Sequence, residues 1–387
     1  MSSKLKVHRD FKLKFAFFIF IFGLISFPSL GYSSSSNDGP SLLYAHSMVF
    51  DPIQNQLILF GSRTMASSSP DYSTWLYHLS NNTWTPINTP IVPRIQENSG
   101  MVYDPSTNRV IYFGGGETWA FDPSSNAWTK LSPENSPPNL ADFSMHYDEN
   151  EQKIVIYGGH VDPNFVLKDA TWIFNPQTEN WVQLTTNTPP QARYGHAMVY
   201  DTNAKLGILF GGRVSGLSSE TWSLNLTEGT WQKKSPNTTP LSRYWFSMVF
   251  DSHLGQSLLF GGDNEESPIR ALGDTWCFNG SSSSTWTEFS PDSTPSPRTG
   301  HAMAFASSTN KTYLFGGLGE DYSVNYGDLW SYDSTDSKWE PLSTDFSSES
   351  DENGTISFGF IFLGISLLSI ILFLRKKTKT QNKMPKL

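Results

Sequence analysis

GHAMVYD (195–201), LGILFGG (206–212), ETWSLN (220–225) and TWQKK (230–234) are four short apolar stretches in a row, each alternating and each the length of a strand. The first ends in Asp201, whose carboxylate can bond its own backbone and close a hairpin into the second. The second ends in Gly211 and Gly212, which permit positive φ and close approach of neighbouring backbones. The third carries Trp222 and the fourth Trp231. This order returns six times. Twelve of the thirteen tryptophans form the pairs Trp75/Trp84, Trp119/Trp128, Trp172/Trp181, Trp222/Trp231, Trp276/Trp286 and Trp330/Trp339, and only Trp245 stands apart. A unit repeated every 44 to 55 residues marks a propeller or a solenoid.

The other copies keep the order. Each first strand holds a methionine (Met48, Met101, Met145, Met198, Met248, Met303), followed by Asp51, Asp104, Asp148, Asp201 or Asp251, or by Ala306 in the last copy. Each second strand is expected to end in glycine: Gly61, Gly114/Gly115, Gly158/Gly159, Gly211/Gly212, Gly261/Gly262 and Gly316/Gly317. With 14% aromatics, 29 Gly and 24 Pro, the chain has the turn density of an all-β protein, and its aromatic area can stand in for disulfides. The pattern resembles the Kelch family, whose repeat has a second strand ending in a double glycine, a Tyr or Trp on strand three and a Trp on strand four. The resemblance covers residues 42–342 and implies a six-bladed β-propeller with blades at about 42–87, 96–131, 141–184, 193–234, 244–289 and 298–342. Two copies depart from it, with Gly61-Ser62 in place of a double glycine and Leu329-Trp330 in place of Thr-Trp. The order predicts a ring closed by whole blades through side-chain packing. The alternative is an extra strand from residues 32–43 in the last blade.

The ends of the chain read differently. Basic residues from Lys4 to Lys14 precede an apolar run from Phe15 to Phe27, and small residues follow near Gly31, as in a secretory signal peptide over 1–31. An uncleaved anchor is the alternative. A Ser-rich linker (32–41) leads into the propeller, and an acidic stalk (343–354) leaves it. Residues 355–374 are twenty uncharged, mostly apolar residues, enough for a transmembrane helix. The basic tail 375–387 places itself in the cytoplasm and the propeller outside. Residues 32–354 hold 16 Lys/Arg against 35 Asp/Glu, a formal charge of −19, which argues against nucleic acid as a partner. The lone Cys277 has no disulfide partner and reads as a small buried hydrophobe. Asn81, Asn225, Asn237, Asn279, Asn310 and Asn353 each begin an Asn-x-Ser/Thr triplet, as in an exported glycoprotein, although such triplets also arise by chance in loops.

Function belongs to the loops from strand two to three and from strand four to the next blade, which leave one face together. Between the second glycine position and the Trp-containing dipeptide lie 11, 2, 11, 8, 12 and 11 residues, so blade two is cut short at Gly116-Glu117 and leaves a notch. Candidate binding residues on this face are Arg63, Glu117, His160, Asp162, Arg213, Trp245, Asp263, Asn264, Glu265, Arg270, Tyr322 and Tyr326. Carboxylates at 263–266 and 320–321 lack a recognised calcium-loop spacing, and no metal or cofactor is expected. His46, His196 and His301 share a position with Ser99, Phe143 and Phe246, which reads as packing. Arg94, Arg193, Arg243 and Arg298 precede strand one as loop braces. The repeat also explains Trp84, Trp128, Trp181, Trp231, Trp286 and Trp339 as inter-blade packing. No catalytic triad, paired carboxylates or phosphate loop appears, and Cys277 lacks the ligand set of a copper-radical oxidase. The expectation is a membrane-anchored extracellular module, not an enzyme, that binds a protein or glycan. A self-associating envelope component and a carbohydrate-active enzyme are the alternatives.

Overall fold

The computed structural model describes residues 39–343, except 41, 65–66, 97, 266–269 and 282–283, together with 348–350 and 356–358. Six antiparallel sheets carry the six repeats, each with its strands in sequence order. The fourth is the plainest: Ala197–Asp201, Leu206–Phe210, Thr221–Asn225 and Thr230–Lys234. Its pairings set Met198 opposite Leu209, Leu209 opposite Trp222, and Leu224 opposite Trp231. The first strands of successive blades adjoin one another, including those of blades six and one, so they surround an axis. This is the six-bladed propeller that the repeats imply.

In blades one to five the hairpin between strands one and two is closed by the expected aspartate, and in blade six the Ala306 carbonyl accepts the Thr309 N–H at 3.2 Å instead. Asp201 Oδ1 accepts the backbone N–H of Asn203 at 3.0 Å and of Ala204 at 2.9 Å, and Asp51 accepts those of Ile53 and Gln54 at 2.9 and 3.2 Å.

The glycine pairs call for a correction at the other end of strand two. In blades three, four and five the strand stops at Tyr157, Phe210 and Phe260, so Gly158/Gly159, Gly211/Gly212 and Gly261/Gly262 lie just past the ladder and do not end it. The reason is their backbone: φ is +85° at Gly159, +86° at Gly212 and +102° at Gly262, far from extended values, so the regular ladder is interrupted there. In these three blades the second glycine of the pair serves instead as a link to the next blade. Gly159 donates its N–H to the Arg193 carbonyl at 2.8 Å, Gly212 to that of Arg243 at 2.9 Å, and Gly262 to that of Arg298 at 2.9 Å. A Cβ on Gly159 would lie 2.6 Å from the Ala141 carbonyl, so the close approach needs glycine as much as the dihedral does. In blade two Gly114 does end the strand, and in blade six the strand runs on through Gly316 and Gly317 to Leu318 with a shift of register.

The second tryptophan of each pair ties its blade to the one before. Trp128, Trp181, Trp231, Trp286 and Trp339 donate their indole N–H to Thr74, Thr118, Thr171, Thr221 and Thr275 of the preceding blade, at 2.8 to 3.1 Å. Each threonine belongs to a Thr-Trp dipeptide. Blade six has Leu329 at that place, so the bond is not repeated to Trp84, which keeps only the packing on the preceding blade, against Phe315, that Trp128, Trp181, Trp286 and Trp339 also make on their phenylalanines.

Blades one and six are both complete, and closure does not rest on side chains alone as the sequence suggested. Backbone hydrogen bonds run from Gly317 N to Leu43 O at 2.8 Å and from Ala45 N to Gly300 O at 2.9 Å. A shared apolar cluster of Leu43, Met48, Tyr77, Trp84, Ala304, Phe315 and Leu329 fills the seam. Residues 42–45 therefore lean on blade six without adding a strand to its main ladder.

The expected signal peptide, most of the linker and the tail lie outside the described residues. Among the described residues no helix is long and apolar enough to cross a membrane. Within the expected span only Ile356–Phe358 are described, and they form a short strand paired with Ser348–Ser350. Ser348–Ser350, in the expected stalk, in turn joins the third strand of blade six at Val324 and Asn325. That strand, Val324–Asp333, runs beyond its fourth-strand partner and offers an open edge there.

Candidate functional site

The residue before each first-strand His, Ser or Phe has a left-handed backbone in all six blades. Ala45, Asn98, Asp142, Gly195, Trp245 and Gly300 have φ between +48° and +64°. Their peptides are joined from blade to blade. Asn98 donates to Ala45, Ala45 to Gly300, Gly300 to Trp245, Trp245 to Gly195 and Gly195 to Asp142, at 2.8 to 3.3 Å. These six residues form a hydrogen-bonded collar at the loop-face end of the axis.

Below the collar lies an axial cavity of about 190 Å³, lined by the beginnings of all six first strands. Its histidines are wedges between blades. His46 contacts the Phe315 carbonyl at 3.2 Å, and His196 shares a 2.8 Å hydrogen bond with Ser144. Burial pushes His46 down to about 4, His196 to about 3, and His301 well below its ordinary value, so all three rings are neutral at physiological pH.

Above the collar, Trp245 is not the freely exposed aromatic that its isolation from the pairs suggested. Its ring stacks on Tyr244 at 4.3 Å, and its indole N–H donates to Asp142 Oδ1 at 2.9 Å. The ring reaches Asp142 by crossing Gly195, where a Cβ would meet it at 3.1 Å. Asn98 also donates to Asp142, and His160 Nδ1 lies 3.4 Å from its other oxygen. Phe165, half exposed at a loop tip, stacks on His160 at 4.0 Å and meets Tyr194 edge-on.

Blades five and six continue the cluster. Asp263 is fully buried, accepts from the Tyr322 hydroxyl, and pairs with Arg270 at 3.2 Å, while Arg270 lies over the Tyr322 ring. Arg213 pairs with Glu265. Asn264 takes part through its backbone, donating to the Arg270 carbonyl at 3.1 Å. His160 Nε2 also lies 3.6 Å from Asp162, so His160, Asp162, Arg213, Trp245, Asp263, Glu265, Arg270 and Tyr322 are brought together. With its carboxylate held by Arg270 and Tyr322, Asp263 is committed to this network.

Two candidates belong to the scaffold instead. Glu117 accepts from Trp119 at 3.0 Å and from Lys130 at 2.5 Å, and these bonds hold its carboxyl below the usual range. Tyr326 is buried under the Arg298 guanidinium, 4.1 Å away. The Arg63 side chain falls outside the described residues.

The braces themselves are specific. Arg193, Arg243 and Arg298 are fully buried, and each reaches the carbonyl of the first glycine of a pair (Gly211, Gly261 or Gly316) and an acid two residues before a tryptophan: Glu220, Asp274 or Asp328. Burial works to raise the Glu220 carboxyl, but hydrogen bonds from Lys233 and Arg193 outweigh it and bring it to about 2. Arg94, the blade-two counterpart, is exposed and makes no ion pair among the described residues.

Loop length accounts for the notch. In blades three to six the chain leaving strand two pairs with the entry segment and with its own return, as in Leu140–Ala141 with His160–Val161 and Val166–Leu167. Single bridges do the same at Tyr194, Arg213 and Leu217 and at Tyr244, Asp263 and Ala271. Blade two has Gly116 and Glu117 only, too few residues for such a cap. Sequence reasoning missed Asn98, Asp142, Phe165, Tyr194 and Tyr244. Asn98 and Asp142 stand one residue ahead of a packing site without a shared residue type, Tyr194 and Tyr244 stand two ahead, where Tyr44 also falls, and Phe165 lies at a loop tip outside the repeat pattern.

Fold and face together define a six-bladed Kelch-type propeller with an uneven loop surface. The family model described as the KLHDC2/KLHL20/DRC7 Kelch-repeats domain matches residues 32–199 and 208–359, and the chain belongs to that family. Comparison with the curated proteins gave no match. Kelch repeats commonly mediate protein–protein binding.

Proposed function

We propose that this chain is an exported, membrane-anchored binding protein that holds a protein partner on its loop face outside the cell. In this reading, residues 1–31 direct export, 355–374 anchor the chain, and 375–387 stay in the cytoplasm. The supporting features are the basic-then-apolar N-terminus and the twenty-residue apolar stretch with its basic flank.

The observation that carries the binding reading is the distribution of exposed apolar side chains. Tyr72, Ile91, Phe165, Val166 and Leu241, five of the eight large exposed hydrophobics among the described residues, lie in the loops of this one face. They share this face with the half-buried Tyr194, Tyr322, Arg213 and Arg270, residue types enriched where proteins bind proteins. Trp245, the aromatic best placed for stacking on a sugar, already has its ring on Tyr244, which favours a protein over a glycan.

Two measurements test the reading on the full-length protein. Protease added to intact cells should remove the propeller and spare the basic tail; a propeller that resists until the membrane is opened contradicts the placement. Partners recovered with the wild-type protein should be lost with Phe165→Asp and kept with Ile53→Asp, a substitution on the opposite face. Equal recovery with both would refute the loop-face assignment.

A further inference from the structure

Of the six Asn-x-Ser/Thr triplets, five have their asparagine among the described residues; turn chemistry explains three of them, and a fourth, Asn237, occupies a connector position that other blades fill with Asn or Asp. Asn225 and Asn279 open the turn between strands three and four, where their Oδ1 atoms accept backbone N–H groups at 3.1 Å from Glu228 and Ser281. Asp122 and Asp333 do the same in blades two and six without forming a triplet, at 2.8 and 2.9 Å. Asn310 fills a left-handed turn position, φ +53°, that Asn55 and Asn108 fill elsewhere at +53° and +54°. Asn237 stands where the equivalent connectors have Asn187 and Asp292.

Asn81 is different. In blade one His78 opens the turn and Asn82 takes the left-handed position at φ +56°, so neither turn role falls to Asn81. Its side chain is exposed, and the Thr83 hydroxyl donates to its Oδ1 at 2.8 Å. The acceptor amide and the hydroxyl of the triplet therefore sit together at a solvent-facing turn, and Asn81 Nδ2 makes no hydrogen bond among the described residues.

We propose that Asn81 is the N-glycosylation acceptor of this protein, an inference that rests on the export reading. The co-reactant is a lipid-diphosphate-linked oligosaccharide, presented by a membrane-bound transferase. Asn81 Nδ2 attacks the anomeric carbon and the N–C bond forms as the C–O bond to the diphosphate breaks. The diphosphate leaves with the bonding electrons, and the amide proton passes to a base of the transferase. The turn between strands three and four lies on the face opposite the loops, so a glycan there leaves the loop face bare.

The test expresses the full chain in cultured animal cells, once with its own N-terminus and once with residues 1–31 replaced by a host signal peptide. Glycopeptides are mapped after amidase digestion. The expected result is a glycan on the Asn81 peptide that Asn81→Gln abolishes while the thermal transition of the protein is unchanged. A lumen-delivered chain with bare Asn81, or with its glycan on another triplet, overturns the proposal. Retention of the native-leader chain in the cytosol overturns the export reading alone, because the delivered chain still reports on Asn81.

Discussion

On the face where strand one turns into two and three into four, the blades repeat one another. Apart from His78 in blade one and Ala306 in blade six, an Asp or Asn opens each turn, and a left-handed residue follows, as at Asp201 and Lys205, Asp51 and Asn55, or Asp122 and Asn126. On the opposite face, blade two passes from Gly115 to Thr118 through two residues, while blades three to six fold longer loops into small caps over the axial collar. The contrast separates what the fold requires of every blade from what only some blades carry. Arg298 and Arg94 show it at one repeat position: the first is buried against Asp328, and the second is exposed beside the notch.

Breaking what all blades share should have the largest effect. Trp181 is fully buried between blades two and three, and Trp181→Ala should cost about 3 to 5 kcal/mol, read as a lowered denaturant midpoint. Arg298→Met should cost about as much, because Asp328 is left buried without its cation. A change in either variant below about 1 kcal/mol, within the range of surface substitutions, would contradict the inter-blade and brace assignments.

Acid should act on the three axial wedges and on His146, which is buried between blades three and four against Tyr200. His46, His146, His196 and His301 are kept neutral by burial, whereas the unfolded chain protonates them near their ordinary value of 6.5. Between that value and about 4 the unfolded state binds more protons, so these rings lower stability as pH falls. Asp148, Asp201 and Asp251, raised by burial, act in the opposite sense. His196→Phe, which copies blades three and five, should reduce the loss between pH 6.5 and 4 by on the order of 2 kcal/mol. An unchanged acid slope in urea titrations would remove His196 from the account. The smallest effect belongs to the exception: Arg94→Met should stay within about 0.5 kcal/mol of wild type in the same denaturation assay.

These contrasts also mark what the sequence could reveal. The strands, the turn aspartates and the strand-four tryptophans were legible because each blade needs the same residue at the same place. The glycine pairs were legible as a repeat, but their role was not: Gly159 and Gly262 read as strand ends, and the structure makes them links to the next blade. Leu329 was legible as a departure, but its consequence, a missing hydrogen bond to Trp84, needed the structure. The collar was not legible, since a left-handed backbone is met there by Ala, Asn, Asp, Gly and Trp in turn. The latch from Trp245 to Asp142 was hidden for another reason: it spans 103 residues and depends on Gly195 having no side chain between them.

The central claim is that recognition belongs to the uneven face. A photo-crosslinking residue placed at Phe165 or at Ile53, exposed apolar positions on opposite faces, tests it most directly in cells. The account predicts a partner adduct from Phe165 and none from Ile53. Adducts from Ile53 with Phe165 silent would contradict it.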